Sequence, residues 1–471
     1  MPPSSDTQPG FLHLLRNVLR QAWPVLVTSW ASLAFSIMDT AMVGHASAVD
    51  LQIMALAGSI YITVFVGLMG VVHALIPIIA QHFGAGQLTE VGRAWGQGMW
   101  MALGLSAVGA TAMLLPDVWL SWSGDIAPEV RNGIAWYLRA LVLALPAMLM
   151  FRTIYALGTA VSRPRTVMTI NLATVGVKAL LNWLLIFGKL GLPALGAAGA
   201  GLSTALVGWL SLAVGLWALR RQPHFRAFQP RLGRPRWADQ RALLRLGLPM
   251  GASYLIEVCA FSFMALLIAR EGMLVSGAHQ ITSNLAALCY MMPMAIGIAS
   301  ASLTAQAIGA GDPALARRTG RAGITLVLGG ALLTFLTLTS AREFIVGAYT
   351  NDPQVAAIAL SLVLILPWFH LCDALQCINS YLLRAYKVAV VPTLLQAVAL
   401  TGVGLTGGWW VGFGPAAGAL EPLLSPHLPG VPLGAASMWT MSALGLGLSA
   451  TLLFVWYGRV LRAHAGRGRR R

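Results

Sequence analysis

Four ionisable side chains, Asp39, Lys178, Glu257 and Asp373, fall inside long apolar runs of the 471-residue chain. An ionised group at mid-bilayer costs about 2.5–3.5 kcal/mol on insertion scales, so each is a functional candidate. The sequence separation of Glu257 from Arg245, and of Asp373 from Arg384, sets both acids roughly 16–18 Å above those arginines at a helical rise of about 1.5 Å per residue. They therefore share one depth. Two carboxylates meeting in low dielectric cannot both be charged cheaply, so they share a proton or recruit a cation such as Na+. Glu257 and Asp373 are a candidate coupling-ion site. By the same count Asp39, measured from Pro24, and Lys178, measured from Arg165, both stand roughly 20–22 Å up their helices, where a salt bridge is geometrically open to them. The competing account of all four is a fixed ion pair or a helix-end residue that snorkels to water. Snorkelling is the expectation for Arg139, Arg152 and Arg270, nearer the predicted helix ends.

Polar and aromatic neighbours extend both sites. Phe261, one helical turn after Glu257, shares its face and can hold a cation or an aromatic compound against its ring; plain packing is the alternative. Gln280 and Asn284 form an i, i+4 stripe, and Asn171, Asn182 and Thr204 can offer neutral oxygens to sodium or hydrogen-bond between helices. His279 and His370 are expected to make ordinary buried hydrogen bonds. No clustered His and Asp with metal spacing is visible, so the sequence offers no enzyme constellation and calls for no cofactor beyond a coupling ion.

The elements that must carry these residues are membrane helices. The chain is 57% hydrophobic and 10% charged, with a mean hydropathy of +0.74, too few charges for a soluble surface of this size. Apolar runs place spans at about 22–45, 52–82, 94–116, 133–158, 166–188, 196–219, 243–269, 276–308, 320–341, 354–384, 389–414 and 432–458. Phe11 to Gln21 reads as a separate interfacial helix. The chain also repeats itself: Arg16, Arg20, Pro24, Gln81, Gly84, Gly86 and Arg93 recur at one constant offset as Arg241, Arg245, Pro249, Gln306, Gly309, Gly311 and Arg318. A constant register implies two copies of one unit, as in transporters that place a site between two rocking halves. The expected fold is an all-α polytopic membrane protein with 12 transmembrane helices in two pseudo-symmetric six-helix lobes. The expected organisation is a cytoplasmic segment 1–21, a first lobe 22–219, a basic linker 220–242, a second lobe 243–458 and a basic tail 459–471.

The net charge of +16 is not a nucleic-acid signal, because the basic residues gather in short loops and at the chain ends. Arg163 and Arg165, Arg220 to Arg241, Arg317 to Arg321, Arg384 with Lys387, and the tail from Arg459 all fall on one side. The acidic loop residues Asp50, Asp117, Asp125, Glu129, Glu343, Asp352 and Glu421 fall on the other. Positive-inside orientation then places both termini in the cytoplasm. The linker RRQPHFRAFQPRLGRPRWADQR reads as a solvated, lipid-touching connection. Cys259, Cys289, Cys372 and Cys377 read as small side chains in apolar segments.

The run from Pro24 to Gly44, PVLVTSWASLAFSIMDTAMVG, resembles the opening helix of the multidrug and toxic compound extrusion transporters, in particular the NorM type. The runs Leu248 to Ala269, Gly277 to Gly297 and Cys372 to Lys387 are similar to helices seven, eight and ten of that type, and the resemblance covers nearly the whole chain. It implies a V-shaped pair of lobes, expected in a bacterial inner membrane; a monomer is the expectation, since two lobes already supply the interface that transport needs. These lobes would expel cationic or aromatic hydrophobic drugs in antiport with Na+ or H+. It also implies a second-lobe cation site at Glu257 and Asp373 with Phe261 beside it, and a first-lobe role for Asp39 and Asn182. Lys178 departs from the neutral or acidic side chain that such transporters usually carry there, which suggests that its ammonium stands in for a cation beside Asp39. The rival expectation is a flippase for a lipid-linked oligosaccharide or peptidoglycan precursor. Its cavity would need Arg and Lys for a pyrophosphate, whereas the intramembrane charges here are mainly acidic.

Overall fold

The computed structural model describes residues 10–121, 127–428 and 430–468, with side chains as far as residue 464. Asp125 and the end of the basic tail lie outside the described residues. Twelve long helical segments follow one another among those described: α1 Phe11–Ala46, α2 Ala48–Gly84, α3 Leu88–Met113, α4 Pro128–Ala160, α5 Arg165–Phe187, α6 Gly196–Arg221, α7 Trp237–Ile268, α8 Met273–Gly309, α9 Pro313–Ser340, α10 Pro353–Leu362 with Leu366–Ala385, α11 Val390–Gly412 and α12 Leu433–Gly468. Ten are long and apolar enough to cross a bilayer, and α10, bent by 47° between its halves, makes eleven. The remaining one, α3, is 26 residues long, about 39 Å at 1.5 Å per residue, and less apolar because Gln97 and several glycines interrupt it. Each expected span falls on one of the twelve. The expected interfacial helix at Phe11 to Gln21 is corrected: it is continuous with α1, whose Leu14, Val18, Ala22 and Val25 form one buried stripe.

The repeat is visible at the level of single hydrogen bonds. After α2 the N–H of Gln87 donates to His82 O and that of Ala85 to Gln81 O; after α8 the N–H of Asp312 donates to Ala307 O and that of Ala310 to Gln306 O. Both turns pass through a left-handed glycine, Gly86 at φ 72° and Gly311 at φ 75°, the residue that takes this conformation without steric penalty. A second matched device caps the last helix of each copy. Asp50 accepts the N–H of Ala197 at 3.0 Å, and Glu271 accepts those of Gly434 and Ala435 at 2.9 and 2.8 Å. A carboxylate there satisfies orphan amides at the positive end of the helix. Glycines at 196 and 434 allow its approach, since a Cβ on either would run into the carboxylate.

The chain divides into two compact units, Val27–Leu255 and Ile256–Arg471, with Met1–Leu26 counted in the latter. Both dividing points fall inside a helix, α1 and α7, shortly after the repeated prolines Pro24 and Pro249. A proline inside a helix removes a backbone hydrogen bond and bends the axis. Within the first unit the early part of α7 packs closely on α2. A Cβ on Gly70 would lie 2.7 Å from Gly251 Cα, and one on Gly67 would lie 3.0 Å from Leu255.

The basic stretch 220–242 lies in this first unit, and it is not the solvated connection expected from its charge. Gln97 of α3 donates to Arg234 O at 2.9 Å and accepts from Arg236 N at 2.9 Å, while Gln240 donates to Gln97 O at 2.9 Å. Trp100 donates to Gly233 O at 3.1 Å. Gly92 and Gly96 leave α3 bare where the carbonyls of Phe228 and Arg231 press against it. Phe225 and Phe228 are buried, with His224 packed between Phe83 and Phe228. The arginines face outward while the backbone is strapped to the helix.

Candidate functional site

In the first unit, α1, α5 and α6 bring together Asp39, Lys178, Asn182, Ser203 and Thr204. The Lys178 ammonium lies 2.9 Å from Asp39 Oδ1, and it donates to Ser203 Oγ at 2.8 Å, Thr204 Oγ1 at 2.7 Å and Ala200 O at 3.2 Å. Asn182 donates to the same Asp39 oxygen at 2.6 Å, and the Ser203 hydroxyl donates to Asn182 Oδ1. Lys178 and Asn182 are one turn apart on α5, which sets both on one face toward α6. Lys178 is only 1% exposed. A buried ammonium needs a countercharge and oxygens for its three N–H groups, and this site supplies them. The sequence does not single out Ser203; it stands next to Thr204 on a different helix from Asn182, with no local signal that it turns inward.

In the second unit, α7, α8, α10 and α11 meet around Glu257. Its Oε1 accepts from Gln376 Nε2 at 3.2 Å and Gln396 Nε2 at 3.5 Å, and the Tyr290 hydroxyl also donates to the carboxylate. Asp373 lies within electrostatic reach of Glu257 and is 8% exposed. Gln376 Oε1 is buried without a hydrogen-bond partner, an oxygen left available beside two carboxylates. Hard cations such as sodium take oxygen ligands, so carboxylate, amide and hydroxyl oxygens suit either a sodium ion or a shared proton. A small cleft of about 40 Å³ opens on Glu257, lined by Phe261, Phe369, Leu400, Gly404 and Ser442. Phe261 stands edge-on to Phe369 and Trp439, at centroid distances of 5.9 and 6.5 Å.

Part of this wall is unusual backbone. Residues Ala397–Gly407 of α11 are π-helical, and this wider coil follows Gln396 directly and supplies Leu400 and Gly404. π-Helical geometry is rare and occurs frequently at functional sites. Sequence reasoning misses Gln376, Gln396 and Tyr290. Asp373, Gln376, Ser380 and Arg384, spaced i, i+3, i+7 and i+11, form a polar stripe that could have signalled the first; Gln396 is a lone amide in an apolar run. Gln280 and Asn284 stand apart from this cleft and pair with each other, Gln280 Nε2 donating to Asn284 Oδ1 at 3.1 Å on an exposed face.

Two arginines depart from expectation. Arg384 is no loop cation: it is 5% exposed, lies 4.6 Å from the Tyr381 ring centroid and acts electrostatically on Glu257. Arg152 does not snorkel. It sits well inside the end of α4, with its guanidinium 5.8 Å from the Phe65 ring and 5.7 Å from the Tyr155 ring. Both contacts are near the ~6 Å limit, where a cation–π contact is worth about 0.5–1 kcal/mol.

The MatE family model matches residues 24–184 and again 249–410, two stretches whose starting points are separated by the offset of the internal repeat. The chain is 38% identical to the probable multidrug resistance protein NorM of Aromatoleum aromaticum, over 98% of this chain and 96% of that one. It is 31% identical to the multidrug resistance protein NorM of Vibrio vulnificus, over 93% and 94%. Among solved structures, the eukaryotic MATE transporter AtDTX14 superposes with a TM-score of 0.84 at 19% identity, covering 98% of this chain and all of that one. The bent form of the Vibrio cholerae MATE transporter VcmN gives 0.83 at 18% identity, covering 96% and 98%. With both halves matched by one family model and full-length NorM relatives above 30% identity, the chain belongs to the MatE family, the multidrug and toxic compound extrusion transporters, and is of NorM type.

Proposed function

We propose that the protein is a secondary active multidrug exporter, which moves cationic or aromatic hydrophobic compounds outward in exchange for inward Na+ or H+ by alternating access. The observation that carries this reading is Glu257, with Asp373 within its electrostatic reach, at an aromatic-walled cleft. An antiporter needs ion and drug to favour opposite conformations, because a ligand shifts an equilibrium only by its differential affinity for the two states. A carboxylate pair supplies that competition: empty, it attracts a drug cation; neutralised by sodium or protons, it releases it. Phe261 holds the drug, and Gln376, Gln396 and Tyr290 orient Glu257.

The moving bodies are the halves 22–219 and 243–458, in a bacterial inner membrane with both termini cytoplasmic, and the protein acts as a monomer. In the first half the Lys178 ammonium takes the place of a bound cation beside Asp39, so ion coupling rests on the second. The deciding experiment is ethidium efflux from proteoliposomes under a sodium gradient and, separately, a pH gradient, for the parent and Glu257→Gln. Gradient-driven efflux lost in the variant supports cation-coupled export through Glu257. No efflux under either gradient from folded protein overturns it.

A further inference from the structure

Where the ends of α3 and α4 meet the short helix Pro116–Leu120 they enclose a cavity of about 450 Å³, lined by Leu114, Pro116, Asp117, Arg131, Asn132 and Arg139. Small-ligand sites typically occupy about 300–1,000 Å³, so there is room for one. The wall is braced. Trp119 Nε1 donates to Ala112 O at 2.9 Å, which ties the short helix back to α3, and Arg131 holds Asp117 Oδ1 through Nε at 3.0 Å and Nη2 at 2.8 Å. Arg131, Ala135 and Arg139 follow one another by single turns on α4 with Asn132 alongside, so one helix face presents two guanidiniums and an amide. Asp117 balances one of the two charges. Among the described residues Arg139 has no carboxylate or hydrogen-bond acceptor in contact, and its guanidinium lies 5.0 Å from the Trp136 ring. The lining therefore keeps one unbalanced positive charge and N–H donors to match.

The cavity opens on the protein's outer face. Trp136 and Leu143 are 62% and 58% exposed, so this side of α4 is turned away from the bundle. Arg139 stands roughly 16 Å along α4 from Pro128, a depth from which a long basic side chain reaches back to the headgroups, and a tryptophan beside it is characteristic of the membrane interface. The internal repeat shows that the fold does not require these cations. At the offset that pairs Pro128 with Pro353, the second copy carries Ala356, Ala357 and Leu364 in place of Arg131, Asn132 and Arg139, and it still forms a short helix at that turn, Arg342–Gly347.

We propose that this cavity seats the phosphodiester of an anionic phospholipid from the adjoining leaflet, the outer one in the orientation proposed above. One phosphodiester carries the single negative charge that the lining leaves unmatched, and a guanidinium fork binds phosphate oxygens in pairs. The exposed Leu115, Val118 and Trp136 around the cavity suit acyl chains, an apolar flank for which a free anion has no use. The site is separate from the Glu257 cleft and stands independently of the export reading.

The test is hydrogen–deuterium exchange of residues 113–121 in nanodiscs of phosphatidylglycerol and, separately, of phosphatidylcholine. The corresponding turn of the second copy, residues 341–350, reports the general effect of a charged bilayer in the same sample. Both leaflets of a nanodisc are alike, so the readout does not depend on orientation. Relative to the reference turn, phosphatidylglycerol should slow exchange at 113–121 about threefold or more, the protection a ligand gives at roughly twice its Kd. Arg139→Gln should abolish the slowing and Arg139→Lys should keep part of it; Arg139 is exposed, so neither variant disturbs the core. Equal relative exchange in the two lipids, or slowing that survives Arg139→Gln, would overturn the site. The same slowing produced in phosphatidylcholine nanodiscs by inorganic phosphate would overturn the lipid as occupant in favour of a soluble anion.

Discussion

Lys178 Nζ and Asn182 Nδ2 converge on a single oxygen, Oδ1 of Asp39, at 2.9 and 2.6 Å. One face of α5 therefore delivers both the charge and the dipole that neutralise the only carboxylate in this cluster. Breaking a buried pair by removing one partner costs about 3–5 kcal/mol, because the other charge stays behind uncompensated. Lys178→Met should therefore destabilise the protein on that scale, and adding Asp39→Asn should recover much of the loss, both read by thermal unfolding in detergent. If Lys178→Asn and Asp39→Asn each leave ethidium transport unchanged, the pair has no part in transport.

Around Glu257 two glutamines donate to one carboxylate oxygen. Gln376→Leu removes the shorter bond without opening space. A net hydrogen bond is worth about 1–1.5 kcal/mol, so the half-saturating concentration of the coupling ion should change about five- to tenfold, with the direction showing which form of Glu257 the amide favours. Ion-dependent efflux measured across a concentration series reads this, and an unchanged half-saturation would dismiss Gln376 as a positioning residue.

The two capping carboxylates make a matched pair of stability tests. Asp50→Ala and Glu271→Ala should each cost about 1–2 kcal/mol in unfolding assays, the range for losing a side-chain cap. Gly434→Ala should be destabilising too, because its Cβ meets the Glu271 carboxylate and the Phe413 ring.

Strapping of the linker to α3 predicts protection from proteases. Gln97→Leu removes side-chain hydrogen bonds that hold Arg234, Arg236 and Gln240, worth about 1 kcal/mol each. Trypsin cleavage at Arg231 and Arg236 should accelerate about tenfold or more relative to the parent.

Linker docking should also respond to pH through His224. Burial, and then Arg163 nearby, push its pKa below the ordinary 6.5. As pH falls through about 6.5 the undocked linker binds the proton first, so docking is fully present above that value and weakens below it. Hydrogen–deuterium exchange of residues 222–236, corrected for intrinsic rates, should rise between pH 7.5 and 5.5 in the parent and lose that dependence in His224→Phe.

Much of the architecture is legible in the chain alone. Apolar run length marks a helix that must cross a bilayer, and each of twelve such runs is one of the twelve long segments. Depth along a span follows from a rise of about 1.5 Å per residue, which is why Asp39 and Lys178 are expected at one height and are joined at 2.9 Å. The constant register of the repeat forecasts a duplication that reaches single turns, Gly86 against Gly311. Rotation about a helix axis is harder to read. Gln376 lies beyond the 47° bend of α10, which falls just before Pro367, and Gln396 directly precedes the π-helical stretch of α11, for which no local sequence rule exists.

Hydropathy, charge placement and repeat register are properties of the chain in order, and they determined which segments cross the membrane, that the unit is doubled, and which acids lie at membrane depth. The tertiary structure alone decided what those segments touch. It strapped a basic stretch to α3 through the backbone gaps at Gly92 and Gly96, carried α1 and α7 from one compact unit into the other, and turned Arg152 and Arg384 inward onto rings. The physical reason is one of range: burial in lipid acts on each segment by itself, whereas close packing and the pairing of buried donors depend on neighbours distant in sequence.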